Sequence, residues 1–185
     1  MTSRSIPILF AAVTVALVAV AAPSSAVGAP AECPDANTLP GGASEAALSD
    51  ATVCLVNGER TSRGMRALRR NRRLSRAAVS HTRDMIQQHY FEHVSLAGKD
   101  VVDRLTSTGY LGRVRNWVVG ENLAWGIGGL STPQEIVTSW MNSPGHRKNM
   151  LNRRFREIGI GVVFSVPTDD AAVAATYTTT FGFKR

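Results

Sequence analysis

The sequence predicts an α+β fold, with helices first and a small sheet last. Apolar residues recur at helical spacing in several stretches between residues 45 and 150. β-Branched and aromatic residues then crowd 158–166 and 173–183. The two patterns come in blocks, whereas a doubly wound parallel sheet would alternate strand and helix.

The chain has 185 residues, and the first 31 have the layout of a secretory signal peptide. Arg4 is their one charged residue, an apolar run follows from Ile6 to Ala22, and small residues at Ser24-Ser25-Ala26 and Ala29-Pro30-Ala31 offer cleavage sites. That run stands at the lower edge of the roughly 17–25 residues that span a bilayer. Small residues after it, and no basic stop-transfer cluster, favour cleavage over anchoring, so a secreted protein with no membrane span is expected. Residues 32–46, with Pro34, Pro40, Gly41 and Gly42, form a tail, and 47–185 form one domain. The two cysteines, Cys33 and Cys54, are expected to pair in an oxidising compartment and tie that tail down.

A first helix starts at Glu45, capped by Ser44 or Ser49, carries Leu48, Ala51, Leu55 and Val56, and stops at Gly64. A second starts near Asn71, with Leu74, Ala77, Ala78, His81 and Met85 on one stripe. A third runs from about Lys99 to Ser107, stopped by Gly109. Thr132-Pro133-Gln134-Glu135 spells a capping box with proline in the first turn, opening a fourth helix, and Ser143-Pro144-Gly145-His146 opens a short fifth. A strand is expected around Val114–Val119, and 158–166 and 173–183 form an antiparallel hairpin turning at Pro167-Thr168-Asp169-Asp170.

The balance is basic, with 21 Lys+Arg against 14 Asp+Glu and a net charge of +7. Eight arginines (Arg60, Arg63, Arg66, Arg69, Arg70, Arg72, Arg73, Arg76) fall in one short run. No aromatic residue interleaves them, so base stacking is unsupported and nucleic acid is not the expected partner; an anionic wall polymer or lipid headgroups suit the run better. Neither the G-x-S-x-G elbow nor a phosphate-binding G-x-x-x-x-G-K-[ST] loop occurs, which leaves serine hydrolysis and nucleotide chemistry without a motif.

Four histidines carry the remaining options. His81 lies on an apolar stripe and reads as a packed residue with one satisfied nitrogen. His89-Tyr90-Phe91-Glu92-His93 spells H-x-x-E-H, which on a helix puts two imidazoles on one face beside a water-activating carboxylate. Val94-Ser95-Leu96-Ala97-Gly98 breaks that helix at once, so the match is weak. Glu121, flanked by Gly120 after a β-like run, reads as a carboxylate on a turn. His146, third in a proline-started helix, would be kept neutral by the positive helix end.

Phe91-Glu92-His93, Gly120-Glu121-Asn122-Leu123-Ala124, Trp140 to Arg147 and Ile158-Gly159-Ile160-Gly161 occur in that order. Together they resemble the CAP superfamily of cysteine-rich secretory proteins, antigen 5 and pathogenesis-related 1 proteins, and its bacterial secreted SCP-like branch most closely. The resemblance implies an α-β-α sandwich with a small antiparallel sheet between helical layers and a shallow cleft. It implies that His93, Glu121 and His146 line that cleft and could ligate a divalent cation, zinc or magnesium. The family's second Glu would stand where this chain has Ser143, which weakens the neutralisation of a bound cation. The function expected is therefore binding of a lipid-like ligand, a divalent cation or a cell-envelope partner, by a monomer and without catalysis. The alternatives are a metal-dependent extracellular hydrolase and a protein that holds anionic polymer on its Arg60–Arg76 face.

Overall fold

The computed structural model describes residues 32–168 and 173–185. The predicted leader, and Asp169 and Asp170 of the predicted turn, lie outside the described residues. The helices are α1 (Glu45–Thr61), α2 (Arg72–Gln87), α3 (Val101–Ser107), α4 (Pro133–Asn142) and α5 (Pro144–Met150). The strands are β1 (Arg69–Arg70), β2 (Trp117–Ile127), β3 (Glu157–Val163) and β4 (Ala174–Lys184), in the sheet order β1-β3-β4-β2.

Helix starts follow the capping chemistry. Ser44 caps α1 through its hydroxyl on the Ala47 amide, and Asn71 caps α2 on the amides of Arg73 and Leu74. Thr132 Oγ1 accepts from the Glu135 amide at the start of α4. Asp100 and Asp103 form a reciprocal capping box on α3. Ser143 holds the cap position of α5 but makes no side-chain bond there.

The sheet is a layer between helices, giving the expected α-β-α sandwich. Leu48, Val56, Ile136 and Trp140 of α1 and α4 pack on one face against Ile158, Ile160, Val162, Tyr177 and Phe181. α2 and α3 cover the other face, with Leu74, Ala77, Leu105 and Tyr110 forming a second cluster. The hairpin of β3 and β4 is antiparallel, as predicted, and β2 adds antiparallel to β4. The sheet is mixed, however, because β1 pairs parallel with β3 at Arg69 and Arg70, a two-residue strand hidden in the arginine run.

Alternation along Ile158-Gly159-Ile160-Gly161 explains how α2 approaches. The isoleucines point into the first core, and the glycines face α2. A Cβ on Gly159 would stand 2.2 Å from the Ser75 amide nitrogen, and one on Gly161 2.5 Å from the Ala78 carbonyl carbon. The helix backbone therefore lies directly on the strand. Thr180 Oγ1 then donates to the Leu74 carbonyl (3.0 Å), and Thr82 Oγ1 to Thr178 Oγ1 (2.7 Å).

Cys33 and Cys54 are bridged, with Cα atoms 5.7 Å apart, which fastens the N-terminal tail to α1. Among the described residues no helix is long and apolar enough to cross a membrane.

Candidate functional site

The site is built along β2, the edge strand. Its Gly-Glu-Asn segment is not a turn, because Gly120, Glu121 and Asn122 lie inside an eleven-residue strand opposite Phe181, Thr180 and Thr179. Close packing is what Gly120 provides: a Cβ there would meet Phe155 at 2.9 Å and Asn149 Oδ1 at 3.1 Å. The outer carbonyls of this edge are covered by helix side chains. Asn149 Nδ2 donates to the Glu121 carbonyl (3.0 Å), and Trp140 Nε1 to the Leu123 carbonyl (3.0 Å). Asn149 also holds Asn122 Oδ1 (2.9 Å), while Asn122 Nδ2 donates to the His146 carbonyl (3.1 Å) and fixes the first turn of α5 against the strand.

Strand alternation sends the Glu121 side chain to the α2/α3 face. There it is only 3% exposed and meets Arg104 of α3. Arg104 Nη2 bonds both carboxylate oxygens, at 3.0 and 2.9 Å. The same guanidinium donates to the carbonyls of His93 (3.0 Å) and Lys99 (2.8 Å), so one side chain anchors the whole 93–99 segment to the edge strand. His93 Nδ1 lies 2.9 Å from Glu121 Oε1, and its ring is 56% exposed. With Nδ1 given to the carboxylate, Nε2 is the nitrogen left to meet a ligand.

The electrostatics follow from these contacts. The Glu121 hydrogen bond raises the His93 pKa above the usual histidine value, against a smaller lowering by burial. Burial lowers the pKa of His146, and the charge of nearby His93 lowers it further. Sequence reasoning anticipated that direction but assigned it to the helix end. His93 is thus the more basic imidazole and His146 the less basic one.

Glu121 is engaged by Arg104 through both oxygens before any ligand arrives. Its charge is already met by Arg104, and a cation entering beside that guanidinium would face repulsion at short range. Among the described residues no group of three His, Cys, Asp or Glu side chains is placed to hold a metal ion. The carboxylate instead stands behind His93, where it sets the orientation and basicity of the ring.

The H-x-x-E-H string is not a metal-binding helix face. α2 ends at Gln87, and His89 adopts a left-handed backbone (φ 53°) with Nδ1 3.2 Å from the Pro167 carbonyl. His81 is buried as expected, with Nε2 3.0 Å from the Glu92 carbonyl. The arginine run divides in the same way. Arg60 is buried, donating from Nη1 to the carbonyls of Met150 (2.6 Å) and Asn152 (3.1 Å), Arg63 pairs with Glu59, and Arg70 pairs with Asp50 and Ser49. A single Arg60–Arg76 face does not exist.

Sequence reasoning missed Arg104 and Asn149, and named Asn122 only as a member of its motif. A buried glutamate requires a cation, but eighteen arginines offered no means of choosing one.

Comparison with known proteins agrees with this architecture. A stretch of 143 residues is 37% identical to the uncharacterized protein YkwD of Bacillus subtilis, covering 77% of this chain and 53% of that protein. An extracellular protein containing an SCP domain from Bacillus anthracis superposes with a TM-score of 0.60 at 28% identity, over 74% of this chain and 40% of that one. An outer surface protein from Borrelia burgdorferi shares the fold, with a TM-score of 0.60 at 20% identity over 72% of this chain and 90% of that one. The chain therefore spans about half the length, or less, of its two Bacillus relatives. Residues 53–179 match the cysteine-rich secretory protein family, CAP, and the chain belongs to that family.

Proposed function

We propose that the protein is secreted and binds an amphiphilic, lipid-like ligand in the cleft at His93 and His146, with Glu121 as the carboxylate that orients His93. The observation that carries this reading is the Arg104–Glu121–His93 chain. Arg104 cancels the buried carboxylate, so the imidazoles are the polar groups left to meet a ligand. A ring of raised basicity beside one of lowered basicity supplies a donor and an acceptor, which suits a headgroup that carries both. Val94 and Leu96, one and three residues after His93, are 50% and 66% exposed, apolar surface against which a ligand's hydrocarbon part can lie. The extracellular description of the Bacillus anthracis relative supports secretion.

Calorimetric titration with dihexanoyl phosphatidylglycerol should give saturable heat that His93→Ala and His146→Ala each reduce at least tenfold in affinity. Equal binding by all three proteins would remove the cleft from the reading.

A second reading has an observation of its own. A histidine whose Nδ1 meets a carboxylate is the arrangement that orients a metal-ligating Nε2. A divalent cation would then sit on the His93 and His146 imidazoles, with Glu121 behind. Zinc titration separates the two: heat that both histidine variants abolish, with no lipid binding, selects the cation.

A further inference from the structure

The solvent face of α2 carries a basic groove. Its volume is about 1030 Å³, with α2 as one wall and the 95–107 segment as the other. Arg72, Arg76 and Arg83 stand at i, i+4 and i+11, which brings them onto one helix face. That face is opposite the buried stripe of Leu74, Ala78, His81 and Met85. Lys99 faces them from the second wall. All four cations are exposed, and among the described residues none has a carboxylate partner. The groove's one acidic lining residue is Asp84, which already accepts from Tyr90 and Gln88.

We propose that this groove binds a linear phosphodiester polymer lacking bases. Guanidinium forks match phosphate oxygens in geometry, and four cations in one groove without carboxylate partners attract an anionic occupant. The three arginines extend over about 16 Å of helix axis, so a chain, not a single phosphate, is needed to reach them together. The lining holds no Phe, Tyr or Trp, which leaves nucleobases nothing to stack on. It also holds no apolar residue larger than valine, whereas a membrane-surface helix presents Trp, Phe or Leu to the bilayer. The groove shares Arg104 with the His93 site, but that guanidinium is held by Glu121, and neither His93 nor His146 lines the groove.

Fluorescence anisotropy with a labelled twelve-unit propanediol phosphodiester at 50 mM salt tests the inference. Saturable binding is expected, with log K falling against log salt at a slope of about −3 for four phosphate contacts. Arg72→Gln/Arg76→Gln/Arg83→Gln should weaken binding at least tenfold and flatten the slope by about 2. Arg113→Gln/Arg115→Gln/Arg154→Gln removes the same charge from exposed positions elsewhere and should leave the affinity within twofold. His93→Ala should do the same. The proposal is overturned by no saturable binding, by equal loss in the two triple variants, or by loss in His93→Ala. A twelve-mer of thymidylate binding tenfold tighter than the abasic probe would also overturn it, as would preferential binding to phosphatidylglycerol vesicles.

Discussion

Arg104 should be the most stability-critical charged side chain of the site. It is 9% exposed, its partner Glu121 3%, and both carboxylate oxygens depend on it. Removing one member of such a pair leaves an uncompensated buried charge, which costs about 3–5 kcal/mol. Arg104→Met should therefore lower the unfolding free energy by that amount, out of roughly 5–15 kcal/mol for a typical domain. For a domain near 150 residues this is a fall in Tm of roughly 10–15 °C. Arg104→Met/Glu121→Leu removes both charges and should recover most of the loss. It should not recover all of it, because the bonds from Arg104 to the His93 and Lys99 carbonyls are worth about 1 kcal/mol each and stay broken. Urea unfolding of wild type, both single variants and the double variant gives the coupling energy directly. A loss below 1 kcal/mol in Arg104→Met, or additive losses in the cycle, would refute a neutralised buried carboxylate.

Four further outcomes are expected. In an NMR titration His93 should deprotonate above, and His146 below, the ordinary histidine value; His93→Ala should raise the His146 pKa, and the reverse order would contradict the assigned contacts. Because the His93 pKa is raised in the folded state, its bond to Glu121 stabilises fully below the unfolded value near 6.5 and fades as pH rises through the folded value. The stability gap between wild type and His93→Ala should therefore be larger at pH 5.5 than at pH 8.5. Gly161→Ala should cost about 3 kcal/mol or more, because the new methyl would meet α2 backbone at 2.5 Å; a melt unchanged within 2 °C would show that the helix can lift from the sheet. Cys33→Ser/Cys54→Ser opens a loop with a sequence separation of 21 and should cost about 3 kcal/mol on loop entropy, with no change in far-ultraviolet dichroism.

Much of the fold was legible in the sequence because helix starts and strand hairpins are written in local chemistry. Asn71, Thr132-Pro133 and Gly109 mark helix ends that fall within a residue or two of the observed ones. Misreadings arose where a residue answers to a distant neighbour. Gly120 resembles a turn marker in sequence, yet its small size serves Phe155 and Asn149, some 30 residues away. β1 escaped notice because two arginines have no strand signature, and only the free edge of β3 makes them one.

The sequence by itself determined the five helices, the β3–β4 hairpin and the cysteine pair, and it marked His93, Glu121 and His146 as candidate site residues. Periodicity, capping and ordered motifs are local properties, and one chain displays them in full. Only the tertiary structure decided what those residues are to each other. It set Arg104 against Glu121 and the carboxylate against His93, and it divided the arginine run among a buried Arg60, exposed ion pairs at Arg63 and Arg70, and exposed Arg72 and Arg76 along the groove. Charge neutralisation is settled by which side chains lie within about 3 Å, and contacts between residues far apart in sequence exist only once the sheet and its two helical layers have packed.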